Sequence, residues 1–385
     1  MDLIKKAQRA VCGENLDGWL FFNFHGRDGI SNRLLGLKQG ALNSRPWFCI
    51  LPTQGEPIKI VHTIERGILD TVPGETYVYS SRQDLTNLLK PLAGTYAAQV
   101  SENITVISTL DHGTARYLEG LGFNLTDSAV LIQKTIGVLS EEGIASHERA
   151  AALLYNCIDL TWKNIKTHAA EGIQLTESRI QSWILDYFRD NNLVTDHPAL
   201  VASGVHSSDP HYEVPSEGGI ISPGDIIQFD IWAKENLPGA IYADISWVGV
   251  LAKTVPEELQ TLFQTVTGAR DRALDYISDR FEQGLPVIGA DVDRVSRAYI
   301  EDAGYGTYIC HRTGHGIDTE VHGSGVNMDC VEFPDHREII NGSCFSLEPG
   351  LYLERYGMRT EIDAYRKNGR LVVSGGPIQK QILTL

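Results

Sequence analysis

Between Leu154 and Ile165 the apolar side chains return every three or four residues, at Leu154, Ile158, Trp162 and Ile165. That period predicts an amphipathic helix with one buried stripe. It begins near His147 and ends at the glycine of AAEGIQL. A shorter helix, TESRIQSWILDYFRDNN, follows, and then apolar, strand-like sequence. About 110 residues further on the plan recurs. Leu259, Phe263, Val266, Ala273 and Ile277 carry a second long stripe, and Thr254 and Glu257 fit a capping box with Pro256 in the first turn. A second shorter helix, ADVDRVSRAYIEDAG, precedes more strands. This part of the chain reads as two copies of one helix–helix–strand unit. A site shared between the copies would draw side chains from both.

The first ~135 residues follow another pattern, alternating strands and helices. DGWLFFNF (17–24) is an apolar, aromatic-rich run of strand length, and WFCILP (47–52) and PIKIVH (57–62) flank TQGE as a hairpin. TYVYS (76–80) and ITVIS (104–108) predict further strands, and LTNLLKPL and TARYLEGLG predict helices. The expectation is an α+β protein: an α/β domain over 1–135, a polar, glycine-containing linker over 136–146, and a second domain over 147–385. No glycine-rich phosphate loop opens a helix after a strand, so nucleotide binding has no support.

Composition narrows the function. A hydrophobic content of 42% with 21% charged residues describes a folded globular chain. The formal net charge of −16 disfavours nucleic acid and anionic membranes as partners. The six cysteines, Cys12, Cys49, Cys157, Cys310, Cys330 and Cys344, include no C-x-x-C pair and read as buried free thiols of a reducing compartment. No apolar run approaches the ~20 residues of a membrane span, and the N-terminus lacks a signal-peptide core. A cytoplasmic location is expected.

The carboxylates change the picture most. GDIIQFDIWA places Asp230 mid-strand, on the face of Gln228 and Trp232, and AIYADISWVGVLA places Asp244 among apolar neighbours. Burying such groups is costly unless they are paired or bound to metal. The strands after the second helix pair repeat the arrangement. NGSCFSLEPGLYLE carries Glu348, and GMRTEIDAY puts Arg359, Glu361 and Asp363 on one strand face. HRTGHGIDTEVHG (311–323) adds His311, His315 and His322, and ASGVHSSDPHYE adds His206 and His211. By spacing alone His311 and His315 form an H-x-x-x-H pair, but the glycines at 314 and 316 speak against a helix there. Four carboxylates and one imidazole suit two divalent cations, because four negative charges meet four positive ones. Without metal the cluster would suffer like-charge repulsion and take up protons.

Over roughly residues 145–370 the sequence resembles the creatinase/prolidase/methionine aminopeptidase family, with its pita-bread catalytic domain and internal pseudo-twofold repeat. The N-terminal region resembles the domain that precedes it in prolidase, aminopeptidase P and creatinase. The resemblance rests on G-H-G around His315, L-E-P-G-L-Y around Glu348 and R-x-E around Glu361. It implies five metal ligands: Asp230, Asp244, His315, Glu348 and Glu361. Asp230 would serve one ion, His315 and Glu348 the other, with Asp244 and Glu361 bridging and Glu348 also moving protons. The Xaa-Pro-specific branch adds His311, His322, His211 and Arg359, with His206 competing for the place of His211. Two departures stand out. Asp230 and Asp244 are separated by a longer stretch than is usual, with KENLPG as an insertion, and Asp230 is followed by Ile-Trp.

The activity this implies is hydrolysis of the bond between an N-terminal residue and proline, by a dinuclear enzyme using Mn, or alternatively Co, Zn or Fe, on small peptides with proline in the second position. His322 would stabilise the oxyanion, His211 and His311 would hold the proline side, and Arg359 would order the acidic network. Tyr352 is a supporting hydroxyl or a core residue. A homodimer is expected. Two other readings stand beside it: a hydrolase or lyase of a small non-peptide amide or osmolyte on the same fold, and a non-catalytic binding protein.

Overall fold

The protein is described here by a computed structural model covering residues 3–38, 40, 42–104 and 107–385. It divides into two compact units, one ending at Ile136 and the other running from Gly137 to Leu385.

The first unit contains α1 (Leu3–Val11), β1 (Gly18–Asn23), α2 (Gly29–Leu34), β2 (Trp47–Pro52), β3 (Ile58–His62), β4 (Glu75–Tyr79), α3 (Arg82–Leu89), β5 (Thr95–Ala98), α4 (His112–Gly120), β6 (Asn124–Asp127) and α5 (Ala129–Thr135). Its single sheet has the order β4-β3-β2-β1-β5-β6. The hairpin expected across TQGE is the antiparallel pair β2–β3. Every residue of β1 is buried, which is why its sequence reads as one apolar run: helices cover both faces of the sheet. Trp19, Phe21 and Cys49 pack with α1 and α5 on one side. Leu20, Phe22 and Phe48 pack with α3 and α4 on the other.

The second unit begins with α6 (Glu141–Ala170) and α7 (Glu177–Asp190), then β7 (Leu193–Val194), β8 (Leu200–Ser203), β9 (Ile226–Glu235) and β10 (Ala243–Val250). A second long and short helix follow, α8 (Glu257–Glu282) and α9 (Gly289–Asp302), then β11 (Cys344–Leu347), β12 (Gly350–Tyr352), β13 (Gly357–Arg359), β14 (Ile362–Lys367) and β15 (Arg370–Val373). β9 is the spine of the first sheet, pairing with β7, β8 and β10. β14 lies between β11 and β15, and β12 pairs with β13. The stripe of α6 packs on the β9–β10 hairpin through Leu154, Ile158, Trp162 and Ile165. The stripe of α8 divides between two clusters, Leu259, Phe263 and Val266 in one and Ala273 and Ile277 in the other.

Several expectations need correction. The first long helix starts at Glu141, inside the segment read as a linker. Ser140 caps it by accepting from the Gly143 amide, and Glu141 and Glu142 occupy the first turn, where the helix dipole favours them. The capping box at Thr254 and Glu257 does not form. Pro256 is the N-cap and no side chain caps that end, because the proline restricts Val255 to extended backbone and moves the start beyond the reach of Thr254. Residues 105 and 106 of the strand expected over 104–108 lie outside the described residues, and Ile104, Ile107 and Ser108 are in no strand. Arg359, Glu361 and Asp363 do not share one strand face. The chain leaves β13 after Arg359 and enters β14 at Ile362, in a different sheet. No cysteine is in a disulfide, but only Cys49, Cys157 and Cys344 are buried. Among the described residues no helix is long and apolar enough to cross a membrane.

Phe229 is 1% exposed and meets the edge of Trp162, with ring centroids 6.1 Å apart. Phe229→Ala is expected to lower stability by ~3–5 kcal/mol, read from urea unfolding. A loss below ~1 kcal/mol would show that α6 does not hold the hairpin through this contact.

Candidate metal centre

β9 and β10 pair without a break from Ile226↔Val250 to Ala233↔Ala243, so the extra residues between Asp230 and Asp244 are absorbed at the hairpin tip. In this register Asp230 lies opposite Ser246, and Asp244 opposite Trp232. Opposite residues share a face, so both aspartates point to one side of the hairpin. Ser246, which sequence reasoning passed over, links the two halves of the unit: its hydroxyl is 2.9 Å from both Asp230 Oδ1 and Glu361 Oε2.

The histidine stretch is irregular, as its glycines require. A side chain at Gly314 would put Cβ 2.0 Å from the Ser346 carbonyl oxygen, and one at Gly316 would put it 2.7 Å from the backbone of Gly325. Held this close to β11, His315 donates its amide to the Ser346 hydroxyl oxygen at 3.0 Å. Its Nδ1 donates weakly to the Gly316 carbonyl at 3.3 Å. Nε2 therefore presents a lone pair, 3.3 Å from Glu348 Oε1 and 3.7 Å from Asp244 Oδ2. Asp244, His315 and Glu361 each offer a ligand atom within 4.8 Å of the others, and all three are buried. Glu348 and Asp230 adjoin this group. Arg359 binds Asp230 through one guanidinium nitrogen, and its Nε lies 4.0 Å from Glu348 Oε2.

The outer residues divide. Arg359 also donates to the Tyr352 hydroxyl at 2.9 Å, and that hydroxyl lies 2.8 Å from His311 Nε2. His311 Nδ1 donates to the Arg312 carbonyl at 2.7 Å. Both nitrogens of His311 are thus engaged by the protein, and Tyr352 belongs to the site and not to the core. Gly350 permits this packing, since a Cβ there would lie 2.7 Å from the Tyr352 hydroxyl. His322 stands edge-on to His315, ring centroids 4.4 Å apart, with an exposed face. His211 is exposed on the loop after β8. His206 instead lies 2.9 Å from Glu177, away from the carboxylate cluster. Asp363 accepts the Asp244 amide at 2.7 Å and faces the buried His147, which sequence reasoning did not single out, at 3.9 Å.

Burial, then the charges of Asp230, Asp363 and Glu348, hold Asp244 well above the usual carboxylate range. Burial, then Asp244 and Glu348, does the same to Glu361. Burial lifts Glu348 to about 7 against the opposing charge of Arg359. Burial, then the charges of His322 and Arg312, keeps His315 neutral well below its ordinary value. Asp244 Oδ1 and Glu361 Oε1 are buried without a hydrogen-bond partner. A neutral imidazole lone pair, carboxylates and orphaned buried oxygens are a donor set for a divalent cation. Because these carboxylates titrate above their unfolded values, the metal-free fold binds more protons than the unfolded chain. The part of its stability that these groups contribute is fully present below ~4 and lost as pH rises through about 7. The thermal midpoint of metal-free protein is expected to fall between pH 5.5 and 8, and a divalent cation should restore it. A midpoint that rises over that interval without metal would contradict this.

Comparison with known proteins gives the family. The model of metallopeptidase family M24 matches residues 145–366, more than half of the chain. An uncharacterized peptidase of Staphylococcus haemolyticus is 28% identical over 239 residues, 60% of each chain. The Xaa-Pro dipeptidase of Lactobacillus delbrueckii subsp. lactis is 30% identical over 173 residues, 43% of this chain and 41% of its own. The chain thus matches less than two thirds of the length of these two relatives. Among solved structures, the dipeptidase PepE of Mycobacterium ulcerans superposes with a TM-score of 0.76 at 20% identity, covering 100% of this chain and 97% of that one. The prolidase of Thermococcus sibiricus gives 0.68 at 20% identity, covering 99% and 98%. The fold is that of these two solved structures, with a pita-bread domain in the second unit, and the chain belongs to metallopeptidase family M24.

Proposed function

We propose that the protein hydrolyses the peptide bond between an N-terminal residue and proline, with two divalent cations, manganese first among them, held by Asp230, Asp244, His315, Glu348 and Glu361. The observation that supports this reading best is the convergence of Asp244, Glu348 and Glu361 on the neutral Nε2 of His315, with buried oxygens left over. Two bound cations would polarise the scissile carbonyl and lower the pKa of the attacking water. The side chains do the rest. Glu348 accepts the proton of that water at Oε1 and returns it to the proline nitrogen as the bond breaks. His322, packed on His315 with one face open, donates to the carbonyl oxygen as negative charge develops there. Arg359 holds Asp230 and the Tyr352 hydroxyl in register. His311, engaged at both nitrogens, props Tyr352 and does not itself bind substrate. His211 flanks the proline side from its loop.

The test is proline release from Ala-Pro, Gly-Pro and longer Xaa-Pro peptides by protein reconstituted with Mn, Co or Zn. Release from one of these classes is expected. No turnover of any Xaa-Pro bond with all three metals supplied would overturn the reading, and cleavage of a small non-peptide amide instead would favour the alternative that the Ile-Trp sequence after Asp230 suggests. His315→Ala should lose bound metal, measured by elemental analysis. His322→Ala should keep its metal and lose about 100-fold or more in kcat. Loss of metal from both variants, or from neither, would contradict these roles.

A further inference from the structure

Outside the metal centre one buried carboxylate gathers more hydrogen bonds than any ligand does. Glu177, the first residue of α7, is 0% exposed. Its two oxygens accept from the Ser203 amide at 2.7 Å, the Ser203 hydroxyl at 2.9 Å, His206 Nδ1 at 2.9 Å, the Tyr212 hydroxyl at 2.8 Å and the Gly219 amide at 2.9 Å. All five partners lie in one segment, from the last residue of β8 to the turn before Ile220. The Glu177 amide in turn donates to the Gly219 carbonyl at 2.9 Å. Both ends of the loop and two rings within it therefore hang from one side chain. Those rings, His206 and Tyr212, stack at 4.5 Å and 17°. Gly219 lets the carboxylate in, since a Cβ there would lie 2.5 Å from Glu177 Oε2.

The loop held in this way borders the site. His211 lies next to Tyr212, and Asp209 accepts the His211 amide at 2.9 Å. On the other flank the Ser207 hydroxyl accepts the Gly357 amide at 3.0 Å, at the start of the short strand that carries Arg359. The loop backbone runs so close that a Cβ on Gly357 would lie 2.2 Å from the Ser207 carbonyl oxygen. Rigidity here cannot come from regular structure, because most of 204–219 is neither helix nor strand. A buried carboxylate with five donors supplies it: charge-assisted hydrogen bonds are the stronger kind, and losing them exposes an uncompensated buried charge.

We propose that Glu177 is a positioning residue of the enzyme: it fixes the 203–219 loop so that His211 is presented to the proline side of the substrate. The inference rests on the role given to His211 above. Glu177 touches no substrate itself. It acts through the loop, and its effect belongs to substrate binding. The cations are held by other elements, so metal content is independent of it.

Glu177→Gln is the test. It keeps the shape but sets an N–H2 group against a backbone amide, that of Ser203 or of Gly219, which can only donate. In metal-loaded enzyme, KM for an Xaa-Pro dipeptide is expected to rise about tenfold, with kcat within about twofold and metal content unchanged. In a His211→Ala background the same substitution should add less than about twofold to KM, because the group it positions is gone. Hydrogen exchange over 203–219 should quicken in Glu177→Gln, with or without substrate. If Glu177→Gln does not fold, Tyr212→Phe, which removes one of the five bonds, should move KM and exchange in the same direction by less. Wild-type KM, effects that multiply in full with His211→Ala, or unchanged exchange over 203–219 would each overturn the proposal. Failure of the peptidase reading is told apart by the wild type itself, which would then release no proline while the exchange measurement still decides whether Glu177 holds the loop.

Discussion

The constraint on which the second unit depends is the crowding of negative charge in a dry place. Asp244, Glu361 and His315 bring ligand atoms within 4.8 Å of one another, with Glu348 and Asp230 beside them. Two like charges at that separation repel by ~3–4 kcal/mol at an effective dielectric constant of 20. Several such pairs rival the ~5–15 kcal/mol that hold a whole domain together. The protein partly offsets this with Arg359 on Asp230 and the Ser246 and Ser346 hydroxyls, yet leaves Asp244 Oδ1 and Glu361 Oε1 without partners. A fold selected for stability alone would not retain these groups. Their arrangement makes sense as half of a site whose other half is cationic.

The scaffold follows from that need. A continuous hairpin register puts both aspartates on one face, where α6 packs behind them through Trp162 and Phe229. An irregular, glycine-rich segment brings His315 within reach, because only a chain without Cβ atoms at 314 and 316 can run against Ser346 and Gly325. Arg359 serves the site from the end of β13, and Glu361 from the break between β13 and β14. Around the rim, buried polar hubs do what regular structure cannot. Glu177 organises the loop of His211, and Asp293 accepts from Thr313, Arg297 and the Cys330 amide and so steadies the chain that leads into His315.

Much of this was legible in the sequence, for physical reasons. A carboxylate amid apolar strand residues has few uses, so Asp230 and Asp244 announced themselves, as did Glu348 before a Pro-Gly turn. The helical stripes read correctly because α6 and α8 each bury one continuous face. What failed depended on details that propensity does not carry. The α8 cap shifted to Pro256, and α6 extended back to Ser140, because single side-chain bonds settle helix ends. Ser246, His147 and Glu177 escaped notice because their partners lie far along the chain. Sequence likewise does not reveal that Tyr352 and the Arg312 carbonyl engage both nitrogens of His311.

Carboxylates whose titration is raised by burial should give up protons when they take cations. Calorimetric titration of metal-free protein with Mn²⁺ at pH 6.5, repeated in buffers of different ionisation enthalpy, counts the protons released as metal binds. Saturation at two ions per chain with net proton release is expected. Binding without proton release, or no saturable binding, would contradict it.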